Sequence, residues 1–165
     1  MTKKNCSFAV LIQMEAINRF KKAIMNIKIV DYGICKAIGE TKKDIVPGST
    51  TGYFLHSYDM EFLERTDVIS PKVGLSFGIS YEFEDDLEEA ELVDYVCRIR
   101  HPKLVNPINM EQFIECTEEK DAYVDELGTD FYTFEFDWEL QLGEWIFEII
   151  YEDEIMCSQT FIMTE

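Results

Sequence analysis

The sequence predicts an all-β fold, an antiparallel β-sandwich of about seven or eight strands, and three observations predict it. Apolar residues alternate with polar or small ones at Val73, Leu75, Phe77, Ile79, Tyr81 and Phe83, again at Val93, Tyr95, Cys97 and Ile99, and again at Trp145, Phe147, Ile149 and Tyr151. Successive side chains on a strand point to opposite faces, so each run describes a strand with one buried face. Polar turns separate the runs, and little helical pattern follows residue 25.

At 165 residues the chain fits one domain, a size at which folding buries roughly two-thirds of the unfolded surface. Residues 1–25 read as a basic extension and residues 26–165 as the sandwich. The extension carries Lys3, Lys4, Arg19, Lys21 and Lys22 against one acid, Glu15. Phe8, Leu11, Ile12, Glu15 and Arg19 have helical spacing, with Ile17, Phe20 and Ile24 widening the apolar side, so an N-terminal helical extension is expected. A secretory signal would need a longer apolar run and a small-x-small cleavage site, and Gln13 and Glu15 interrupt the run; a cytoplasmic protein is expected. Met25, directly before strand-like sequence, is a second candidate start. The five cysteines, Cys6, Cys35, Cys97, Cys116 and Cys157, are odd in number, widely spaced and free of C-x-x-C pairs. They read as reduced, buried thiols rather than a disulfide framework or zinc ribbon.

Along the chain, residues 26–37 form a first strand that bulges at Gly33, and residues 39–52, rich in Lys, Thr and Gly with Pro47, read as a loop. Residues 53–66 form a second strand, broken near 57–59 and ended by Ser70-Pro71. The run through Val73 and Phe83 is the third; its other face, with Gly74, Ser76, Gly78 and Ser80, is nearly bare, so a neighbouring part of this protein is expected to approach it closely. Residues 84–91 are an acidic connector lacking the spacing of a calcium loop. Residues 92–101 form the next strand, with Arg98 and Arg100 facing away from the core and expected to pair with carboxylates on the sheet. Residues 101–107, with prolines at 102 and 107, are extended or turning, and residues 110–123 could hold one short helical turn. Two strands then face each other about Leu142-Gly143-Glu144: Tyr132, Phe134, Phe136, Trp138 and Leu140 on one, Trp145 to Tyr151 on the other. Glu135, Asp137, Glu139, Glu144, Glu148 and Glu152 are expected outward.

Charge is the compositional anomaly, with 33 acidic against 15 basic residues and a net charge of −18. Nucleic acid and anionic membranes would be repelled, whereas cationic partners would be attracted over long range. The same charge also serves solubility. No Gly-rich phosphate loop, G-x-S-x-G elbow or H-E-x-x-H pair is present. His56 and His101 are the only imidazoles. Cys97 and His101 share a strand face but lie about 13 Å apart along it, beyond reach of nucleophile activation; His101 reads as a group that fixes the strand end before Pro102.

Several segments together resemble a known bacterial family. Residues 30–34 (Val-Asp-Tyr-Gly-Ile), residues 64–71 (Glu-Arg-Thr-Asp-Val-Ile-Ser-Pro) followed by Gly74 and Phe77-Gly78, Arg100-His101-Pro102 with Asn106-Pro107, Trp138-Glu139-Leu140, residues 143–147 (Gly-Glu-Trp-Ile-Phe), and closing Ser158 and Phe161 are similar, in that order, to domain of unknown function 3859. The similarity runs from about residue 26 to 165 and leaves the extension outside. The resemblance implies an immunoglobulin-like sandwich and brings no activity or catalytic residue with it; the acidity of residues 84–91 departs from it.

The expected function is a non-enzymatic protein-interaction module, without cofactor or metal, whose acidic surface suits a basic protein partner, as in immunity or inhibitor-type proteins that neutralise cationic toxins. The candidate binding residues are Glu84, Asp85, Asp86, Glu88, Glu89, Glu135, Asp137 and Glu148, with Arg100 and His101 as a second location. The alternative is a small-molecule or metal-binding sandwich in which carboxylates such as Asp31, Asp67, Asp130 and Asp137 converge.

Overall fold

A computed structural model describes residues 25–84, 92–124 and 126–165, except for the side chain of Tyr58. The expected helical extension and most of the acidic connector, including Asp85, Asp86, Glu88 and Glu89, lie outside the described residues. Nine strands are found among those described: β1 (Asn26–Ile45), β2 (Tyr53–Glu64), β3 (Val68–Ile69), β4 (Ser76–Glu84), β5 (Leu92–Val105), β6 (Gln112–Tyr123), β7 (Leu127–Thr133), β8 (Gly143–Tyr151) and β9 (Glu154–Met163). They form one sheet in the order β2, β1, β4, β7 and a second in the order β3, β9, β8, β5, β6. Every pairing is antiparallel except that of β3 with β9. Among the described residues no helix is long and apolar enough to cross a membrane.

Most inward positions read from alternation hold the sheets together; Val73 does not, because it lies in the turn before β4 and is exposed. Phe77, Ile79 and Tyr81 of β4 and Trp145, Phe147 and Ile149 of β8 have no exposed surface. Phe77 meets five rings, those of Tyr132, Phe134, Trp145, Phe147 and Phe161, at centroid distances of 5.2 to 6.2 Å. Such aromatic pairs add about 0.5–1.5 kcal/mol each beyond the area they bury. On the bare face of β4 the close approach comes from its neighbour in the same sheet: a Cβ on Gly78 would lie 2.1 Å from the Asp130 carbonyl oxygen and 2.7 Å from the Phe131 Cα of β7, whereas a Cβ on Gly74 would meet nothing within 4 Å.

Four local expectations are corrected. Residues 131–140 are not one strand facing β8: β7 ends at Thr133, a 3₁₀ turn follows at Asp137–Glu139, and β7 and β8 belong to different sheets. Phe134 is fully buried and Trp138 and Leu140 are partly so, because the chain crosses between sheets while still feeding side chains into the core. The hairpin partner of β8 is β9, joined through Glu152 and Asp153, both in the left-handed region (φ 48° and 65°) as a two-residue turn of matching twist requires. Residues 112–123, the place of an expected helical turn, are strand β6, whose inward positions include Glu118 and Lys120 and therefore carry no apolar alternation. Residues 39–45, expected in a loop, continue β1, paired with β2 from Thr41 opposite Ser57 to Ile45 opposite Tyr53. β5 likewise runs past His101 to Val105.

Trp145→Ala should destabilise the domain by about 3–5 kcal/mol, measured by urea unfolding. A loss below about 1 kcal/mol would remove this ring from the centre of the core.

Candidate functional site

The first half of β1 pairs with β4, from Asn26 opposite Glu84 to Cys35 opposite Ser76, and its second half pairs only with β2. The distal β1–β2 hairpin therefore overhangs the sheet. A register shift between Ile38 and Thr41, with Gly39 at φ 82°, marks the bulge that lets it bend. The overhang is tied down at three points, two on the β5–β6 side of the other sheet and one on the segment that follows β7. Asn106 Nδ2 donates to the Thr50 carbonyl at 3.1 Å, His56 Nε2 lies 2.5 Å from Glu118 Oε1 on β6, and Tyr53 Oη donates to Glu135 Oε2 at 2.5 Å.

Beneath the overhang, between β6 and β7, is a cavity of about 210 Å³ lined by residues of β2, β5, β6 and β7 and of the segment after β7. Its lining residues His56, Glu118, Lys120 and Asp130 belong to a chain of polar groups that continues behind the wall. Tyr81 Oη donates to Asp130 Oδ2 at 2.6 Å, which leaves Tyr95, 2.8 Å away, to donate to Tyr81. Lys120 donates to Asp130 Oδ1 and lies 3.5 Å from Glu118. Glu118 meets His56, whose Nδ1 is 2.7 Å from Asp44 Oδ2, and Lys42 pairs with Asp44 at 2.6 Å. Burial alone would lower the Lys120 ammonium, but Asp130 and Glu118 outweigh it and hold its pKa above the usual lysine range. Burial raises the Tyr81 phenol, further raised by Asp130, and takes Tyr95 to about 12. Glu139, buried beside the cavity, accepts from Tyr132 Oη at 2.5 Å and from the backbone N–H groups of Glu135 and Phe136. Burial still raises its carboxyl pKa, because these donors offset only part of the desolvation. Burial also raises the two thiols of the cavity, Cys116 to about 12 and Cys97 well above the ordinary thiol value.

The candidate residues read from the sequence are scattered. Glu84 is exposed, within reach of Asn26 and Lys28. Glu135 is half-buried and tied to Lys43 and Tyr53, while Asp137 is exposed on the 3₁₀ turn. Glu148 and Glu139, expected outward, are buried at 2% and 1% exposure. Glu148 is clamped by Arg98 at 2.7 Å and Arg100 at 2.6 Å, the arginine pairing expected of the sheet. Burial would raise the Glu148 carboxyl, but Arg100 and Arg98 together hold it below the usual range. His101 is buried within β5, its ring 4.9 Å from that of Trp145, its Nδ1–H donating to the Pro102 carbonyl at 2.8 Å. Asp31 pairs with Arg65 at 3.4 Å, and Asp130 is committed to Lys120 and Tyr81. Among the described residues no group of three His, Cys, Asp or Glu side chains is arranged to hold a metal ion. Sequence reasoning missed His56, Glu118 and Lys120. The available signal was the alternation Cys116, Glu118, Lys120, Ala122, obscured by the charge of the two middle residues.

The family described as "Domain of unknown function (DUF3859)" matches residues 23–163. No curated protein matches the chain. Among solved structures, the crystal structure of an immunoglobulin-like protein from Pseudomonas aeruginosa is similar, with a TM-score of 0.54 at 15% identity over 85% of this chain and 96% of that one. The likeness establishes an immunoglobulin-like sandwich.

Lys120→Ala should cost about 3–5 kcal/mol in urea unfolding, since it strands Asp130 as a buried charge; a loss under about 1 kcal/mol would mean that Tyr81 alone satisfies that carboxylate. Burial holds the His101 imidazole pKa below its ordinary value, the Pro102 carbonyl and Glu115 opposing only in part. Unfolded chains therefore bind more protons, and the contribution of neutral His101 is complete above about pH 6.5 and lost as pH falls through the lower folded value. Thermal melts of His101→Phe should show a shallower fall in stability below pH 6.5 than the wild type; parallel curves would contradict this.

Proposed function

The chain belongs to the family described as domain of unknown function DUF3859, and from its geometry we propose that it is a non-enzymatic protein-interaction module whose acidic face engages a basic protein. One observation carries the reading. On the outer face of the second sheet Asp94 of β5 stands directly opposite Asp121 of β6, with Glu119 on the same strand face, and all three are exposed. Like charges directly opposite in an antiparallel pair repel, and among the described residues no ion pair is formed by any of the three. A basic surface laid against this face would remove the repulsion and would be drawn there by the field of a chain at net −18. The proposed acidic face lies on β5 and β6 and, among the acidic residues expected from the sequence, replaces Glu148, which is buried.

The cavity chemistry supports binding rather than turnover. Its thiols are held protonated, and a protonated thiol is a poor nucleophile. Both ring nitrogens of His56 are already engaged by carboxylates, which leaves no free lone pair to activate a nucleophile.

The test is a salt series of pull-downs from the native host with the wild type and with Asp94→Lys/Glu119→Lys/Asp121→Lys. Capture of a basic protein should weaken as salt rises and be lost in the triple variant, whose urea midpoint should stay close to that of the wild type because all three positions are exposed and the lysines repel one another as the acids did. Undiminished capture by the triple variant would refute the assignment of this face.

A further inference from the structure

The cavity under the β1–β2 overhang is separate from the outer acidic face, since β6 turns Glu119 and Asp121 to solvent and Glu118 and Lys120 inward. We propose that this cavity binds one small organic cation, an alkylammonium or guanidinium group. Its walls include four carboxylates, those of Glu118, Asp130, Glu135 and Glu139, against Lys120 and the imidazole of His56, with Lys43 outside the walls 3.5 Å from Glu135. Lys120 is spent on Asp130 and Glu118, so an anion would find carboxylates without a free counter-charge. Tyr53, Phe131 and Tyr132 also line the space and offer the aromatic surface on which organic cations settle.

A second, independent observation points to a missing hydrogen-bond partner. Thr50 lines the cavity with 3% exposure, and its buried Oγ1 has no hydrogen-bond partner. Buried hydroxyls are normally paired because an unpaired one forfeits its bonds to water. An N–H of an ammonium or guanidinium group would supply that bond. The volume of about 210 Å³ exceeds the roughly 150 Å³ that accepts benzene and falls short of the roughly 300 Å³ at which drug-sized pockets begin, which limits the ligand to a single short-chain cation. Such a group could be a free amine or a Lys or Arg side chain of a partner; only the second source rests on the interaction reading above.

Backbone amide NMR titrations of the full chain at constant ionic strength test this with n-butylammonium, ethylguanidinium, neutral butyramide and butyrate. Both cations should produce saturable shifts at Thr50, His56 and Thr133 with dissociation constants on the order of millimolar, at least ten-fold tighter than butyramide. Butyrate should produce none. Thr50→Val should weaken the cations roughly ten-fold while leaving the melting temperature equal or higher. N-acetyl-lysine amide and N-acetyl-arginine amide separate the sources: binding equal to the free cations marks a side-chain site, and binding only of the free cations marks a small-molecule site. Butyramide binding as well as the cations, absence of saturable shifts at these amides, or an unaltered affinity in Thr50→Val would each overturn the proposal. Because Asp94→Lys/Glu119→Lys/Asp121→Lys leaves the cavity residues in place, loss of the protein partner in that variant with cation shifts intact separates failure here from failure of the interaction reading.

Discussion

Phe77 is the residue on which the sandwich closes. It sits on β4 in the first sheet, and its ring packs edge-to-face against Trp145, Phe147 and Phe161 of the second and stacks on Phe134, which follows β7. Interlocked rings admit few alternative arrangements at native packing density, so this cluster sets the spacing of the two sheets. His101 extends it by lying against Trp145. Gly78, the next residue, lets the β7 backbone run close alongside β4 in the same sheet, and a side chain there would push the two strands apart.

The same arrangement leaves one side of the sandwich incompletely filled. At the β6 and β7 edges the inward positions are Glu118, Lys120 and Asp130 instead of aromatic rings, and the β1–β2 hairpin bends over to cover them. A buried ion pair of this kind rarely adds net stability over apolar packing, because two charges must be desolvated to form it. Its cost is limited by further partners: Tyr81 and Tyr95 continue from Asp130 on one side, and His56 and Asp44 from Glu118 on the other. The outcome is a polar cavity walled by groups that are nearly all satisfied, with Thr50 the unpaired exception that lines it.

Edge strand β6 thus carries two opposite surfaces. Outward it presents Glu115, Glu119 and Asp121, and inward Glu118 and Lys120. A partner covering the outer face and a ligand entering beneath the hairpin would therefore act on the same strand, and either would order a sheet edge that otherwise has a neighbour on only one side.

Alternation alone was enough to place β4, β5 and β8, because each buries a local, period-two set of large apolar side chains, and it identified Trp145, Phe147 and Ile149 as core. The arginine row of β5 was equally legible, since Arg98 and Arg100 alternate with buried residues. Tertiary structure decided the rest. Which carboxylates are buried depends on cations distant in the chain: Glu148 is held by arginines 48 and 50 residues away, and nothing near it in sequence marks it apart from an exposed glutamate. β6 was hidden for the same reason, as its inward charges are tolerable only beside Asp130 and His56. The assignment of β7 and β8 to different sheets likewise lay beyond periodicity, because alternation records which face of a strand is buried and carries no information about the sheet on the other side of the core.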